Sequence, residues 1–413
     1  MNYFDRRSES SRFLSAALMC GFLNVVAILP SQAQNLVPLL GVAQVSSGYG
    51  HACALTTGGG VKCWGNNEYG ELGDGTTTNR STPVDVIGLS SGVKAISSGS
   101  GYTGALTTAG GVKCWGDNEY GQLGDGTTTD RLTPVSVTGL TQGVTAITTT
   151  AHTCALTSGG GVKCWGINFI GQVGDGTTIN RTTPVNVVGL SSGVTSISAG
   201  TDDTCALLSG GGAKCWGSNF DGELGDGTVN DQLTPVDVQG LNTTITAISA
   251  GFRHTCAVTA ASGVKCWGDN AYFDLGDPDF SDQYSTSPID VSDLTNVVSL
   301  STNWGDTQTC AVENVNPLGV VTCWGSFYFL PGMVNPYFSI GRDDQFVDAV
   351  SVSACAEMLE DFFCAITNEG GVKCLGGNNY GELGNGTTSN DYVTTAVDVL
   401  VPSDTIFQDG FDD

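Results

Sequence analysis

Twelve of the fifteen cysteines stand in six pairs, and paired cysteines serve as metal ligands, redox couples or disulfides. Cys53 and Cys63, Cys154 and Cys164, Cys205 and Cys215, Cys256 and Cys266, and Cys364 and Cys374 lie ten residues apart, and Cys310 and Cys323 thirteen. Zinc and dithiol sites use the tighter Cys-x-x-Cys spacing. A ten-residue spacing with glycines between fits two strands of a hairpin, where cysteines either cross-link or pack as small hydrophobes. The three histidines, His51, His152 and His254, each sit two residues before the first cysteine of a pair. Three imidazoles at one repeated position could meet at a metal in the centre of a ring, or could be hydrogen-bonding residues of their own units. Oxygen-rich stretches such as Asp117-Asn118-Glu119 and Leu123-Gly124-Asp125-Gly126 admit a calcium reading. They do not match the twelve-residue calcium loop, and Gly-Asp-Gly-Thr is a good turn by itself. No nucleophile elbow, phosphate loop, zinc-protease helix or dinucleotide fingerprint is present. The expectation is a protein that is not an enzyme and has no catalytic, metal or cofactor-binding residue, with calcium as the one candidate cofactor.

The elements that position these residues follow from a repeat. Trp64, Trp115, Trp165, Trp216, Trp267, Trp324 and Leu375 end successive copies of one motif, at steps of 51, 50, 51, 51, 57 and 51 residues. Short strand-like runs alternate with glycine-rich turns in each copy, the pattern of a propeller or β-solenoid. One such unit is too small to bury its own faces, so neighbours must stack, and seven close well into a ring. The predicted fold class is all-β: a seven-bladed β-propeller of about 51-residue repeats, each blade a small antiparallel sheet.

In CALTTGGGVKCWG, a three-residue Thr57-Gly58-Gly59 loop sets Cys53 opposite Cys63 and Trp64 opposite Ala52. The same register places Trp115, Trp165, Trp216, Trp267 and Trp324 opposite threonines, and in the seventh copy Leu375 opposite Phe363. Large against small across each pair is what a packed interior tolerates. Six disulfides are the expectation, each closing a short loop worth roughly 2–3 kcal/mol. Cys114 has lost its partner to Gly104, and Cys355 is supernumerary; both are free thiols, or Cys355 re-pairs with Cys364.

The stretch HACALTTGGGVKCWGNNEYGELGDGTTTNRSTPVDV, residues 51–86, resembles the repeat of the regulator of chromosome condensation (RCC) family. The resemblance covers about residues 42–400 and implies a seven-bladed β-propeller. The sixth copy departs most, with YFLPGMVNPYFSIGRDD in place of the usual loop.

The chain begins with Arg6, Arg7 and Arg12, then an apolar run to Pro30 and small residues to Ala33. This predicts a secretory signal over 1–33, with an uncleaved anchor as the alternative. A propeller domain over 34–402 and an acidic tail over 403–413 follow. Without residues 1–33 the chain has 12 basic and 39 acidic side chains, a net charge of −27. That charge argues against nucleic acid and anionic lipid as partners. Six of the seven lysines recur at one repeat position, so they form no basic patch.

The expected product is a monomer, secreted, periplasmic or on the surface of a bacterium. It has no membrane insertion after cleavage and binds a protein partner through loops on one face. Candidate interaction residues are the loop aromatics Tyr69, Tyr120, Phe169, Phe220, Tyr272 and Tyr380, with Trp304, Phe327, Tyr328 and Phe329 where the repeat pattern breaks. One alternative, implied by the resemblance, is guanine-nucleotide exchange with chromatin binding. Another is a propeller enzyme, a lyase or hydrolase, with a central metal.

Overall fold

The computed structural model describes residues 35–241, 244–277, 282–292, 294–303, 308–315, 318–325, 346, 348–355 and 362–403. The expected signal over 1–33 and nearly all of the acidic tail lie outside these residues.

Each repeat forms an antiparallel sheet in chain order, as its strand-and-turn alternation requires. In blade 1 the inner strand Val42–Gly48 pairs with His51–Thr56, which pairs with Val61–Gly65, which pairs with the outer strand Arg80–Asp85. Blades 2 to 5 and 7 repeat this four-stranded order, and three strands of blade 6 are described. The registers are those the hairpin arithmetic predicts: Cys53 faces Cys63, Trp64 faces Ala52, and Phe363 faces Leu375. All six predicted pairs are disulfides, with Cα atoms 4.1 Å apart in each. Cys364 pairs with Cys374, so Cys355 is not its partner. Cys114 is a buried free thiol, and burial pushes its pKa up. A side chain at Gly104 would enter a full space, since an added Cβ would lie 3.1 Å from Thr149 Cγ2 and 3.2 Å from Ile147 Cδ1.

The core lies between blades. Cys53, Cys63 and Leu55 of blade 1 pack with Ile96, Ala105 and Trp115 of blade 2. Across the ring closure, Cys364 and Cys374 of blade 7 pack with Trp64 of blade 1. Each disulfide is therefore filling for an interblade core as well as a staple.

Two sets of hydrogen bonds run around the ring. In the first, a hydroxyl on each inner strand accepts the N–H of a residue on the next inner strand. Ser46 accepts from Ser98, Ser97 from Thr149, Thr148 from Ala199, Ser198 from Ala250, Ser249 from Thr302 and Ser301 from Ala354, at 2.9–3.1 Å. Ser353 accepts from Ser47 at 2.9 Å and completes the circle. In the second, the indole N–H of Trp115 donates to the carbonyl of Glu71 in the preceding blade at 2.8 Å. Trp165, Trp216, Trp267 and Trp324 do likewise, and Trp64 reaches Glu382 at 2.7 Å. Gly73 must lack a side chain here: its φ is 68°, and an added Cβ would stand 2.8 Å from Trp115 Nε1. The N-terminal strand Leu36–Pro38 pairs with Leu400–Pro402, tying the two ends of the propeller together.

Two outcomes are expected. Non-reduced intact protein should weigh about 12 Da less than the reduced chain, as six disulfides require; a fully thiol protein would refute the pairing. Ser353→Ala leaves the N–H of buried Ser47 without its partner and should cost about 1–3 kcal/mol in urea unfolding. An unchanged midpoint and slope would remove the hydroxyl circle from the stabilising interactions.

Candidate functional site

The antiparallel order puts two sets of loops on one face of the ring: those joining the first and second strands, and the long loops joining the third and fourth. Backbone bonds knit them within blades 1, 2, 4 and 5, as from Asn66 N to Gly50 O and from Asp117 N to Gly101 O. Side chains knit them between blades: Gln172 donates to Asp202 at 3.2 Å, and Arg253 to Asp221 at 3.3 Å.

The long loops of blades 1 to 5 and 7 are built around a buried asparagine. Asn67 Oδ1 accepts Leu72 N–H at 3.0 Å, and Nδ2 donates to the carbonyls of Thr76 and Thr78, both at 3.1 Å. Asp74 of Gly-Asp-Gly-Thr accepts from Thr76 N–H and hydroxyl and from Arg80 Nε and Nη2. Blades 2 and 3 repeat the arrangement at Asp125 with Arg131 and Asp175 with Arg181. Asp74, Asp125 and Asp175 are thus spent on their own turns and arginines, and Asp117 accepts from the Glu119 N–H and Gln122 Nε2. Among the described residues no group of three or more His, Cys, Asp or Glu is arranged to hold a metal.

The three histidines are buried and do not converge. His51 Nε2 meets Thr103 Oγ1 of the next blade at 2.9 Å, and Thr103 donates onward to the carbonyl of Glu71. Since the threonine proton is used there, Nε2 is the donor of this pair, and Nδ1 lies 3.4 Å from the carbonyl of Tyr49. His152 with Thr204 and His254 with Thr309 repeat the contact at 2.6 Å, and Tyr102 with Thr153 at 2.9 Å. Burial lowers these imidazoles to about 4 for His51, about 3 for His152 and about 4 for His254. They are interblade struts. Blade 4 has Asp203 in this position, buried with Oδ2 unpartnered. Burial first, then Glu223 and Asp202, push its carboxyl well above the usual range.

The loop aromatics occupy two adjacent positions after the asparagine, where the repeat alone suggested one. Tyr69, Tyr120, Tyr272 and Tyr380 take the second place, Phe169 and Phe220 the first, where blades 1 and 2 carry Glu68 and Glu119. Tyr120 and Tyr380 are half-buried, and Tyr69 and Tyr272 are more exposed. Phe169 and Phe220 stand 59 % and 74 % exposed. Tyr120 meets Phe169 edge-on across the blade boundary, with centroids 5.6 Å apart. Exposed Ile179, Val229 and Leu233 belong to the same two blades. In blade 5, Phe273 takes the place of glycines such as Gly70 and Gly121 and holds φ 63°, a conformation costly for an aromatic residue. Trp304, Phe327, Tyr328 and Phe329 lie outside the described residues.

Comparison with known proteins agrees with this architecture. A model described as the RCC1-like domain matches residues 34–329. The chain belongs to the RCC1-like family. This RCC1-like propeller is 31 % identical over 275 residues to the ultraviolet-B receptor UVR8 of Arabidopsis thaliana, covering 66 % of this chain and 51 % of the receptor. It is 34 % identical over 226 residues to the probable E3 ubiquitin-protein ligase HERC4 of Homo sapiens, covering 54 % of this chain and 17 % of that one. The propeller thus spans about half the length of the first relative and a small part of the second. Prp20p of Saccharomyces cerevisiae, described with its binding properties to Gsp1p and histones, superposes with a TM-score of 0.62 at 18 % identity, over 81 % of each chain. That likeness bears on the fold alone.

Wholly buried Glu71 gives a test by pH. Its Oε2 accepts the Tyr69 N–H at 2.8 Å while Oε1 has no partner, and burial raises its pKa to about 7 from 4.5. Because the folded value is the higher one, its contribution is full below about 4.5 and lost as pH rises through 7. Glu71→Gln, the residue found at Gln122 and Gln172 in blades 2 and 3, should therefore leave stability unchanged at pH 4 and raise it at pH 8. The gain is at most roughly 3 kcal/mol, at about 1.4 kcal/mol per pH unit. Equal effects at both pH values in thermal melts would contradict a buried, raised carboxyl.

Proposed function

We propose that this RCC1-like propeller is an exported, disulfide-stapled interaction scaffold that binds a protein partner through its long-loop face. The observation that carries the reading is the exposure of Phe169 and Phe220 on adjacent blades, at loop positions where blades 1 and 2 carry glutamates. Large exposed aromatics are favoured anchors of protein interfaces. The strained Phe273 supports it, because a cost borne by a surface loop residue points to a duty other than folding.

Six disulfides support export, since such bonds persist in oxidising compartments. The bacterial surface, periplasm or medium is the proposed location, with the propeller acting as a monomer. Among the described residues no helix is long and apolar enough to cross a membrane. Nucleotide exchange and metal-centred catalysis have no particular observation in their favour, and the histidines that suggested a central metal serve as struts.

A photoreactive phenylalanine at position 220 should yield a discrete protein adduct when the propeller is incubated with envelope or secreted fractions. The same group at Ser158, an exposed turn residue at the opposite end of blade 3, should yield none. Adducts at both positions, or none at 220, would overturn the assignment of the face.

A further inference from the structure

Resting on the proposed protein-binding role of the long-loop face, the partner's chemistry can be read from what surrounds the exposed rings. On this face Arg80, Arg131 and Arg181 are each held by an aspartate of their own loop, and Arg253 by Asp221. At the other ends of the third strands Lys62, Lys214, Lys265 and Lys373 are held by cross-strand aspartates. These eight cations are consumed where they stand. Glu68, Asp117, Glu119, Asp130 and Asp231, on the long loops, form no ion pair among the described residues.

These carboxylates stand among the aromatic side chains. Glu68 foremost, then partial burial, Asp117, Glu71 and Asp130, hold the Tyr69 phenol above its ordinary value, and the Tyr69 ring and Asp117 both border Gly101, 3.2 Å and 3.5 Å from a Cβ placed there. Glu119 is the chain neighbour of Tyr120, whose ring meets Phe169. An exposed ring presents a negative face, and neighbouring carboxylates deepen that potential.

We infer that the long-loop face of blades 1 to 4 takes an extended, lysine- and arginine-rich polypeptide segment, its cations seated on Tyr69, Phe169 and Phe220 between the unpaired carboxylates. The aromatic faces and the charges select the same ligand independently, since an acidic or phosphate-bearing partner would be repelled. A second copy of this chain is a poor occupant for the same reason, because two such faces would oppose carboxylate to carboxylate. Cation–π contact is open to arginine and lysine, and flanking apolar residues on the segment would find Leu233 exposed against Gly171 of the Phe169 loop.

The test is fluorescence anisotropy of the whole secreted chain with a labelled peptide of about twelve alternating lysines and serines, and with its glutamate counterpart, in 150 mM salt. The lysine peptide should bind and the glutamate peptide should not. Phe169→Ala combined with Phe220→Ala leaves the net charge unchanged and should weaken lysine-peptide binding about threefold or more. Glu119→Gln should weaken it, while Glu369→Gln, which removes the same charge from an exposed turn of the opposite face, should not. A thermal melt of each variant establishes that it is folded.

Wild-type affinity in the double phenylalanine variant, or equal losses in the two glutamine variants, would reduce the binding to attraction by net charge and overturn the inference. If the photoreactive group at position 220 captures a protein that excess lysine peptide does not compete away, the face still binds protein but its partner is not cationic. That outcome also overturns the inference while leaving the proposed function standing.

Discussion

The rest of the structure depends on satisfying the inner edge of each blade. A small antiparallel sheet leaves a row of unpaired N–H and C=O groups on its first strand, and seven such edges point toward the axis. The circle of hydroxyls from Ser46 through Ser353 gives one N–H on each edge a partner in the adjoining blade. Gln44 adds a two-way clamp at blades 1 and 2, donating to Ile96 O at 2.8 Å and accepting from Ile96 N at 3.0 Å. Each bond is worth on the order of 1 kcal/mol net. Their closure matters more, because no blade can leave the ring without breaking two.

The indole bonds are the outer counterpart of that circle. The carbonyl of Glu71 accepts both the Trp115 indole and the Thr103 hydroxyl, and Thr103 in turn accepts from His51. A buried polar chain of this kind holds because every member is used, and it sets the distance between blades. The disulfides belong to the same boundary. Cys53 and Cys63 lock one hairpin and press against the next blade's tryptophan, so local staple and ring packing are coupled.

This division of labour leaves the long loops two folding duties, their own turns and the carbonyls, such as Glu71 O, that receive the next blade's indole and hydroxyl. Their asparagines and Gly-Asp-Gly-Thr aspartates fix the loop from within, and in blades 1 to 3 an arginine neutralises that aspartate. What remains at the tips, including Phe169, Phe220, Glu68 and Glu119, varies from blade to blade on a constant frame. Variable tips on a rigid ring are a usual way to build a binding surface.

Much of this was legible in the chain. The tryptophan period determined the blade count, and the cysteine spacing, ten residues in five hairpins and thirteen in the sixth, determined the hairpin register and the six disulfide pairs, because strand pairing is local. Interblade partners were not legible, since they join residues about fifty apart, or more than three hundred apart at the closure between Ser47 and Ser353. The recurring hydroxyl near the end of each inner strand was the available signal, but hydroxyls are common in such strands and their direction is set by stacking. The histidines show the same limit: their shared position was visible, yet only the neighbouring threonine decided that they are struts and not ligands. The aromatic loops were visible as a set. Their separation into half-buried tyrosines and exposed phenylalanines came from a one-residue offset after the buried asparagine, whose consequence for exposure only the folded loop could decide.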